Sequence, residues 1–165
     1  MNIIDDNKPN ITPISSFGEF KLIDRLTKNF KCQNKQTIMG IGDDCAVLEE
    51  KDNFKLISTD MLVEGVHFDL SYTPLKHLGY KSIAVNISDI CAMNGVPTQV
   101  TVSIAVSNRF SVEALDELYS GIKLACEKYN IDLVGGDTTS SLSGLVISVS
   151  ILGQVKKSKI TYRKG

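Results

Sequence analysis

Strand-like and helix-like segments alternate along this sequence, and that alternation is the feature that most limits how it can fold. The segment "TQVTVSIAVS" (98–107) alternates apolar and small residues, as a half-buried strand does. The next segment, "SVEALDELYSGIKLACEKYN" (111–130), carries one apolar stripe at helical spacing, and Ser111 can cap its first turn. A short strand, "IDLVGGD" (131–137), then enters a glycine turn. This order predicts an α/β or α+β sandwich.

Three further segments have equally clear patterns. "FKLISTD" (54–60) predicts a strand that ends at the carboxylate of Asp60. "GLVISVSILGQV" (144–155) predicts a final strand, and the small serines on its second face permit close approach of another layer or subunit. "TPLKHLGYKSIAVNISDICAMNG" (73–95) is apolar almost all round, which predicts a mostly buried helix.

The N-terminal part of the sequence is less regular. Residues 1–16 are interpreted as a flexible arm, and "FGEFKLIDRLTKNF" (17–30) places apolar residues near helical spacing, which predicts a short amphipathic helix. "IMGIGDDCAVLE" (38–49) is strand-like on both sides of a glycine turn. We expect one domain from Phe17 onward, since the chain of 165 residues is long enough to bury a core.

Composition excludes several classes of function. The chain is 42% apolar and 22% charged, and its net charge of -1 with scattered Lys and Arg argues against nucleic-acid binding. No apolar run approaches the roughly 20 residues that cross a bilayer, and the N-terminus lacks the basic start of a signal peptide. The four cysteines form no CxxC pair, so we expect free thiols, no zinc site and a cytoplasmic location.

The end of the sequence suggests a larger protein. After the last predicted strand, the chain continues into the basic loop "KKSKITYRKG" (156–165) without a closing element. We therefore expect this chain to be part of something longer.

Acidic residues recur in four similar settings, each among Gly, Ser, Thr or Asn. They are Asp43 and Asp44 in "GIGDDCAV", Asp60 in "STDMLVEGVHF", Asp89 in "NISDICAM" and Asp137 in "GGDTTSS". Carboxylates that lie close together repel one another, and none of these motifs contains a Lys or Arg to offset that. A hard cation, Mg²⁺ above all, accepts oxygen ligands from Asp, Ser and Thr and leaves positions for water or phosphate. The pattern predicts a site for Mg²⁺ and phosphate.

Less specific interpretations stay open for each motif taken alone. An Asp after Gly or Ser is most often a turn or cap residue. Taken alone, a histidine placed like His67 is more often a loop residue than a ligand, and Tyr119 falls on the apolar stripe of its helix, as a structural residue does. The sequence also lacks a GxxxxGK[ST] loop and a complete dinucleotide fingerprint, so the residues alone do not name a reaction.

In their order and amino-acid sequence, these motifs resemble the N-terminal half of the bacterial thiamine-monophosphate kinases. The segments that carry the resemblance are "FGEFKLIDRL", "GIGDDCAVL", "STDMLVEGVHF", "YKSIAVNISDICAM", "GGDTT" and "TYRKG". The resemblance implies ATP-dependent phosphorylation of thiamine monophosphate to thiamine diphosphate, with several Mg²⁺ ions and no covalent enzyme intermediate. It also implies a mixed β-sheet covered by helices on one face, with the sheets of two subunits paired into a barrel-like homodimer.

The resemblance further implies roles for individual residues. The implied metal ligands are Asp44, Ser58, Thr59, Asp60, Asp89 and Asp137. His67 matches a position that contacts the thiamine phosphate. The implied nucleotide contacts are Tyr119, Gly136, Asp137 and Arg163. No side chain is assigned as a catalytic acid, base or nucleophile.

Residues 17–165 would then form the N-terminal metal- and ATP-binding domain, while the C-terminal domain of the family is absent from this chain. Two positions depart from the family pattern, because Asn94 stands where a glycine is frequent and Ser140 where a basic residue is frequent. Two alternatives remain: another ATP-using enzyme of the same superfamily, or a non-catalytic dimerisation fragment.

Overall fold

The structure is a computed structural model that describes residues 11–164. The described part of the chain divides into two compact units, one up to Cys32 and one from Gln33 onward. The first unit holds a 3-10 turn at Ile14–Ser16 and helix α1, Glu19–Thr27, so the predicted amphipathic helix is present. Residues 1–10 of the predicted N-terminal arm lie outside the described residues.

The second unit is a six-stranded sheet with two long helices. Its elements are β1 (Thr37–Met39), β2 (Ala46–Glu50), β3 (Asn53–Val63), α2 (Leu75–Ala92), β4 (Val96–Val106), α3 (Val112–Tyr129), β5 (Asp132–Ser140) and β6 (Val146–Lys156). The strand order is β1-β2-β3-β6-β4-β5. Neighbouring strands are antiparallel except β4 and β5, which are parallel and joined through α3. The predicted α+β fold with a mixed sheet is therefore confirmed.

The core lies between the sheet and the helices. Helix α2 packs on β3, β4 and β6, and α3 packs on α2. The apolar residues of the predicted alternation in β4, such as Val102 and Ile104, are buried, as are Val149 and Ile151 of β6. The predicted N-cap of α3 is also present, because Ser111 Oγ accepts the N–H of Ala114. Hydrophobic burial on one sheet face thus holds the second unit together.

Two glycines allow α2 and α3 to approach each other at backbone distance. A Cβ on Gly79 would lie 2.0 Å from the carbonyl oxygen of Leu118, and a Cβ on Gly121 would lie 1.9 Å from that of Lys76. Any larger side chain at either position would force the helices apart.

Strand β3 is longer than the sequence predicts. It does not end at Asp60 but continues to Val63, because β6 pairs with it along its whole length, from Asn53 opposite Lys156 to Val63 opposite Val146. Asp60 is therefore a mid-strand residue, and the prediction of a carboxylate at the strand end was wrong.

The predicted glycine turn after β5 was wrong as well. Strand β5 continues through Gly135 and Gly136 to Ser140, in parallel pairing with β4. A Cβ on Gly136 would lie 1.8 Å from the carbonyl oxygen of Val102, so this glycine permits close strand packing rather than a turn. Asp137 is consequently also a mid-strand residue.

Across residues 11–164, the helices lack the length and apolar character needed to cross a membrane.

Candidate functional site

Two of the acidic motifs meet where β3 lies under α2. Ser58 and Asp60 occupy every second position between the buried Leu56 and Leu62, so their side chains lie on the same face of β3, the face that α2 covers. From α2, Asp89 accepts a hydrogen bond from the Ser58 hydroxyl at 2.6 Å. The structure thus brings together three of the predicted metal ligands.

Asn86 fixes the backbone of Asp60 at this position. The Asn86 Oδ1 atom accepts the N–H of Asp60 at 3.2 Å, and its Nδ2 atom donates to the carbonyl of Ser82 at 3.0 Å. Asn86 is only 1% exposed, so both ends of a buried amide are satisfied.

The loop between β1 and β2 contributes the third acidic motif. The N–H of Asp44 donates to Asp43 Oδ1 at 2.9 Å, and the N–H of Arg163 donates to Asp43 Oδ2 at 3.0 Å. The Arg163 guanidinium donates to Asp44 Oδ1 at 2.5 Å. The C-terminal segment is also tied to the end of α2, because Thr161 N–H donates to the carbonyl of Met93 at 3.3 Å. Arg163 is therefore the counterion of this acidic pair.

The electrostatics of neighbouring groups link these motifs into one acidic cluster, which comprises Asp43, Asp44, Asp60 and Asp89. Burial raises the pKa of Asp60, and repulsion from Asp89 raises it further, while His67 acts in the opposite direction. Burial also raises the pKa of the Cys45 thiol to about 12, with Asp89, Asp44 and Asp43 adding to the effect. Cys45 is therefore held as a thiol and is unsuited to act as a nucleophile.

The oxygen donors of the cluster suit a hard cation, but they are not gathered around one point. Within residues 11–164, no three His, Cys, Asp or Glu side chains are grouped closely enough to hold a metal ion. Ser58 and Asp89 are hydrogen-bonded to each other, and Asp60 interacts electrostatically with Asp89. Binding of a cation would require these side chains, and the carboxylate of Asp44 now paired with Arg163, to converge.

Two of the predicted metal ligands lie elsewhere. The Thr59 hydroxyl donates to the carbonyl of Val149 at 3.0 Å, and its side chain, being next to Asp60 in a strand, lies on the opposite face of the sheet. Asp137 lies in β5, three strands away from β3 in the sheet order, and pairs in register with Ser103. The structure therefore does not bring the side chains of Thr59 and Asp137 to the cluster.

Three of the four predicted nucleotide-contacting residues line a separate cleft of about 480 Å³ beside β5. Its lining residues are Val102, Tyr119, Leu133, Gly135, Gly136, Asp137 and Thr138. A larger cleft of about 640 Å³, between α3 and the start of β5, shares Tyr119 and Leu133 with it. Burial raises the pKa of Tyr119, which keeps its phenol protonated. Arg163, the fourth residue, lies at the acidic cluster.

His67 lies on the turn that follows β3. Its Nδ1 atom accepts the backbone N–H of Val63 at 3.0 Å, and its carbonyl accepts a hydrogen bond from the Lys81 ammonium at 3.0 Å. The imidazole is exposed but held against the backbone of its own turn.

Sequence reasoning missed the role of Glu64 in this region. Its carboxylate pairs with Arg109 and accepts the N–H of Leu145 at 2.9 Å. The available signal was its place inside "VEGVHF", directly before a glycine and three residues before His67.

Comparison with known proteins identifies a family that this sequence matches. Residues 42–155 match the family described as AIR synthase related protein, N-terminal domain. The chain is 37% identical over 146 residues to the thiamine-monophosphate kinase of Bacillus subtilis, covering 88% of this chain and 45% of the relative. It is 43% identical over 141 residues to that of Buchnera aphidicola subsp. Schizaphis graminum, covering 85% and 42%.

Solved structures of thiamine-monophosphate kinases are also similar to this chain. AaThiL complexed with AMPPCP and TMP superposes with a TM-score of 0.82 at 34% identity, covering 93% of this chain and 47% of that one. The thiamine monophosphate kinase of Aquifex aeolicus superposes with a TM-score of 0.71 at 27% identity, covering 91% and 46%. The chain thus spans less than half the length of these relatives.

Proposed function

Because this chain belongs to the AIR synthase related family through its N-terminal domain, we propose that it is the metal- and nucleotide-binding half of a thiamine-monophosphate kinase. The reaction breaks the bond between the terminal phosphorus of ATP and its bridging oxygen, and forms a bond to a phosphate oxygen of thiamine monophosphate. The products are ADP and thiamine diphosphate. The observation that carries this proposal is the similarity to curated kinases of that name and to a structure with AMPPCP, an ATP analogue, and TMP bound.

We propose that Asp44, Ser58, Asp60 and Asp89 hold Mg²⁺ by their side chains. The repulsion between Asp60 and Asp89 supports this, because a cation between them would remove it. The Thr59 side chain does not join them in this arrangement, since its hydroxyl lies on the other sheet face. When bound, Mg²⁺ neutralises the phosphates and lets two anions approach each other.

The side chains of this chain would then orient the two substrates. Tyr119, Gly136 and Asp137 would receive the nucleotide in the cleft beside β5, and Asp137 would contribute to the metals bound there. Arg163 would contact phosphate oxygens through its guanidinium once it leaves Asp44. His67 would donate a hydrogen bond to the phosphate of thiamine monophosphate. No step of this transfer requires a nucleophilic side chain.

We further propose that the protein is a cytoplasmic homodimer. Small side chains on the sheet face opposite the one that α2 covers, among them Ser103, Ser148 and Ser150, support close packing of a second sheet there. All four cysteines are free, which is typical of a reducing compartment.

Thermal unfolding with Mg²⁺, with ATP, and with both tests the site. We expect a clear rise in the midpoint only with both, since a ligand at 100 times its Kd stabilises the native state by about 2.7 kcal/mol. Asp60→Asn and Asp89→Asn should abolish most of that rise. Asp52→Asn, in the exposed turn between β2 and β3, is the matched control and should retain it.

Each other outcome has a definite meaning. An undiminished rise in both cluster variants would overturn the metal assignment. Absence of any rise in the parent protein, with dimerisation intact, would favour the non-catalytic dimerisation fragment. Binding of ATP with Mg²⁺, but not of thiamine monophosphate, would favour another ATP-using enzyme of the superfamily.

A further inference from the structure

Glu64 is held rigidly against the loop between β5 and β6. Its backbone N–H donates to the carbonyl of Leu145 at 3.0 Å, and its Oε2 atom accepts the N–H of Leu145 at 2.9 Å. Its Oε1 atom accepts a hydrogen bond from the guanidinium of Arg109. The side chain is 18% exposed, and a Cβ on Gly144 would lie 2.9 Å from its carboxylate. The surrounding backbone therefore fits this carboxylate closely.

Glu64 also begins the turn that carries His67. The turn closes through the N–H of Gly65, which donates to the carbonyl of Phe68 at 2.9 Å. Phe68 is 6% exposed and belongs to the core. One end of the turn is thus fixed by the Glu64 side chain and the other by burial of Phe68, so the residues between them are constrained from both sides.

This constraint sets the chemistry of the His67 imidazole. The N–H of His67 donates to the carbonyl of Val63 at 2.8 Å, which folds the residue back on the strand. Its Nδ1 atom then accepts the N–H of Val63 at 3.0 Å. Because a nitrogen that accepts a hydrogen bond carries no proton, the neutral ring carries its proton on Nε2. That Nε2–H group is a donor suited to a phosphate oxygen.

We propose that Glu64 is a positioning residue, which fixes the His67 turn so that the neutral imidazole presents Nε2–H to the phosphate of the acceptor substrate. The inference deepens the proposed function and rests on it, because His67 is assigned there to thiamine monophosphate. Glu64 acts through the turn and does not touch the substrate. The loss of a single neutral hydrogen bond and its alignment corresponds to about a tenfold loss of affinity.

The tautomer of His67 is the first readout. In ¹⁵N-edited NMR of the protein near pH 8, we expect His67 as the Nε2–H tautomer, and a mixture of tautomers in Glu64→Ala. Glu64→Gln keeps an acceptor for Leu145 and should preserve the tautomer. His77, the second histidine of the chain, serves as the internal control and should not change. An unchanged His67 tautomer in Glu64→Ala would overturn the proposal.

Affinity is the second readout, measured by calorimetry for thiamine monophosphate and separately for ATP with Mg²⁺. Glu64→Ala should weaken thiamine monophosphate binding about tenfold and leave nucleotide binding unchanged, whereas Glu64→Gln should stay within about threefold. Should the alanine variant unfold, Glu64→Asp withdraws the carboxylate by one methylene and is expected to reproduce the tautomer change and the loss.

The variant His67→Ala distinguishes a failure of the Glu64 proposal from a failure of the proposed contact between His67 and thiamine monophosphate. If His67→Ala leaves the affinity for thiamine monophosphate intact, the proposed role of His67 is wrong. If His67→Ala weakens binding but the folded Glu64→Ala and Glu64→Asp variants do not, only the positioning role of Glu64 is wrong.

Discussion

Asp60 lies in the proposed metal site, and its surroundings destabilise its ionised form. Its backbone is fixed by Asn86, while its carboxylate is partly buried and faces Asp89. A buried carboxylate near a second negative charge is less stable ionised than in the unfolded chain, and this is the cause of its raised pKa. The same two features would favour a bound cation, which removes the repulsion.

The raised pKa of Asp60 leads to a prediction about stability and pH. The stabilising effect of protonated Asp60 is present below the unfolded pKa near 3.8 and is lost as pH rises through the higher folded pKa. Asp60→Asn should therefore be more stable than the parent at pH 7 without Mg²⁺, and equally stable near pH 3. Since the carboxylate is partly exposed, we expect a gain below about 1 kcal/mol. Denaturant unfolding at both pH values measures it, and a less stable variant at pH 7 without metal would contradict the prediction.

The sequence predicts which residues form the site better than it predicts how their side chains are oriented. Acidic residues among Gly, Ser and Asn indicated the cluster, and Ser58, Asp60 and Asp89 do lie together. The strand alternation that separates Thr59 from its neighbours follows from period two once β3 is known. The pairing of Arg163 with Asp44 spans 119 positions in the chain, and no local pattern indicates it.

Among the elements, the helix pair depends most on single positions. The two glycines place the backbones of α2 and α3 in direct contact, each against a carbonyl of the other helix. Gly79 and Gly121 thus define how closely the outer helix packs on the inner one.

Gly121→Ala should therefore destabilise the protein, although alanine normally favours helices. The added methyl would lie 1.9 Å from the Lys76 carbonyl oxygen, and overpacking of this kind costs about 1–3 kcal/mol or more. Gly135→Ala is the matched control, because its nearest neighbour is a Thr101 methyl at 3.9 Å. Chemical denaturation measures both variants, and equal stability of Gly121→Ala and the parent would show that the helices separate at little cost.

Element types were predictable from the sequence, but strand ends were not. Alternation in 98–107 and the stripe in 111–130 predicted β4 and α3, because periodicity reflects burial of one face. Where a strand ends depends on its partner instead. Strand β3 passes Asp60 because β6 pairs with it, and β5 passes Gly136 because β4 does.

At the scale of the whole molecule, the sheet order determines where stability is concentrated in the second unit. The last strand, β6, lies between β3 and β4 and is paired on both sides. Strand β5 lies at one edge, and all nine of its residues are exposed. The protein therefore has a well-paired centre and an accessible edge beside the proposed nucleotide cleft.

Hydrogen exchange should report this difference directly. We expect amides of β6 to exchange only by global unfolding, and amides of β5 to exchange at least about tenfold faster, because edge strands open locally. Exchange measured by mass spectrometry or NMR, without ligand and at low protein concentration, tests this. Equal protection of β5 would contradict an exposed edge and indicate that a second copy or another segment covers it.

The central position of β6 also determines when this unit can fold during its synthesis. Strands β3 and β4 both need β6 as a neighbour, yet β6 is synthesised last, about 90 residues after its partner residues in β3. A ribosome has therefore produced most of the unit before the sheet can close, and until then two apolar strands present unpaired edges. Closure of the sheet in this unit therefore waits for β6, and until then its nascent chain is a natural client for chaperones that shield strand edges.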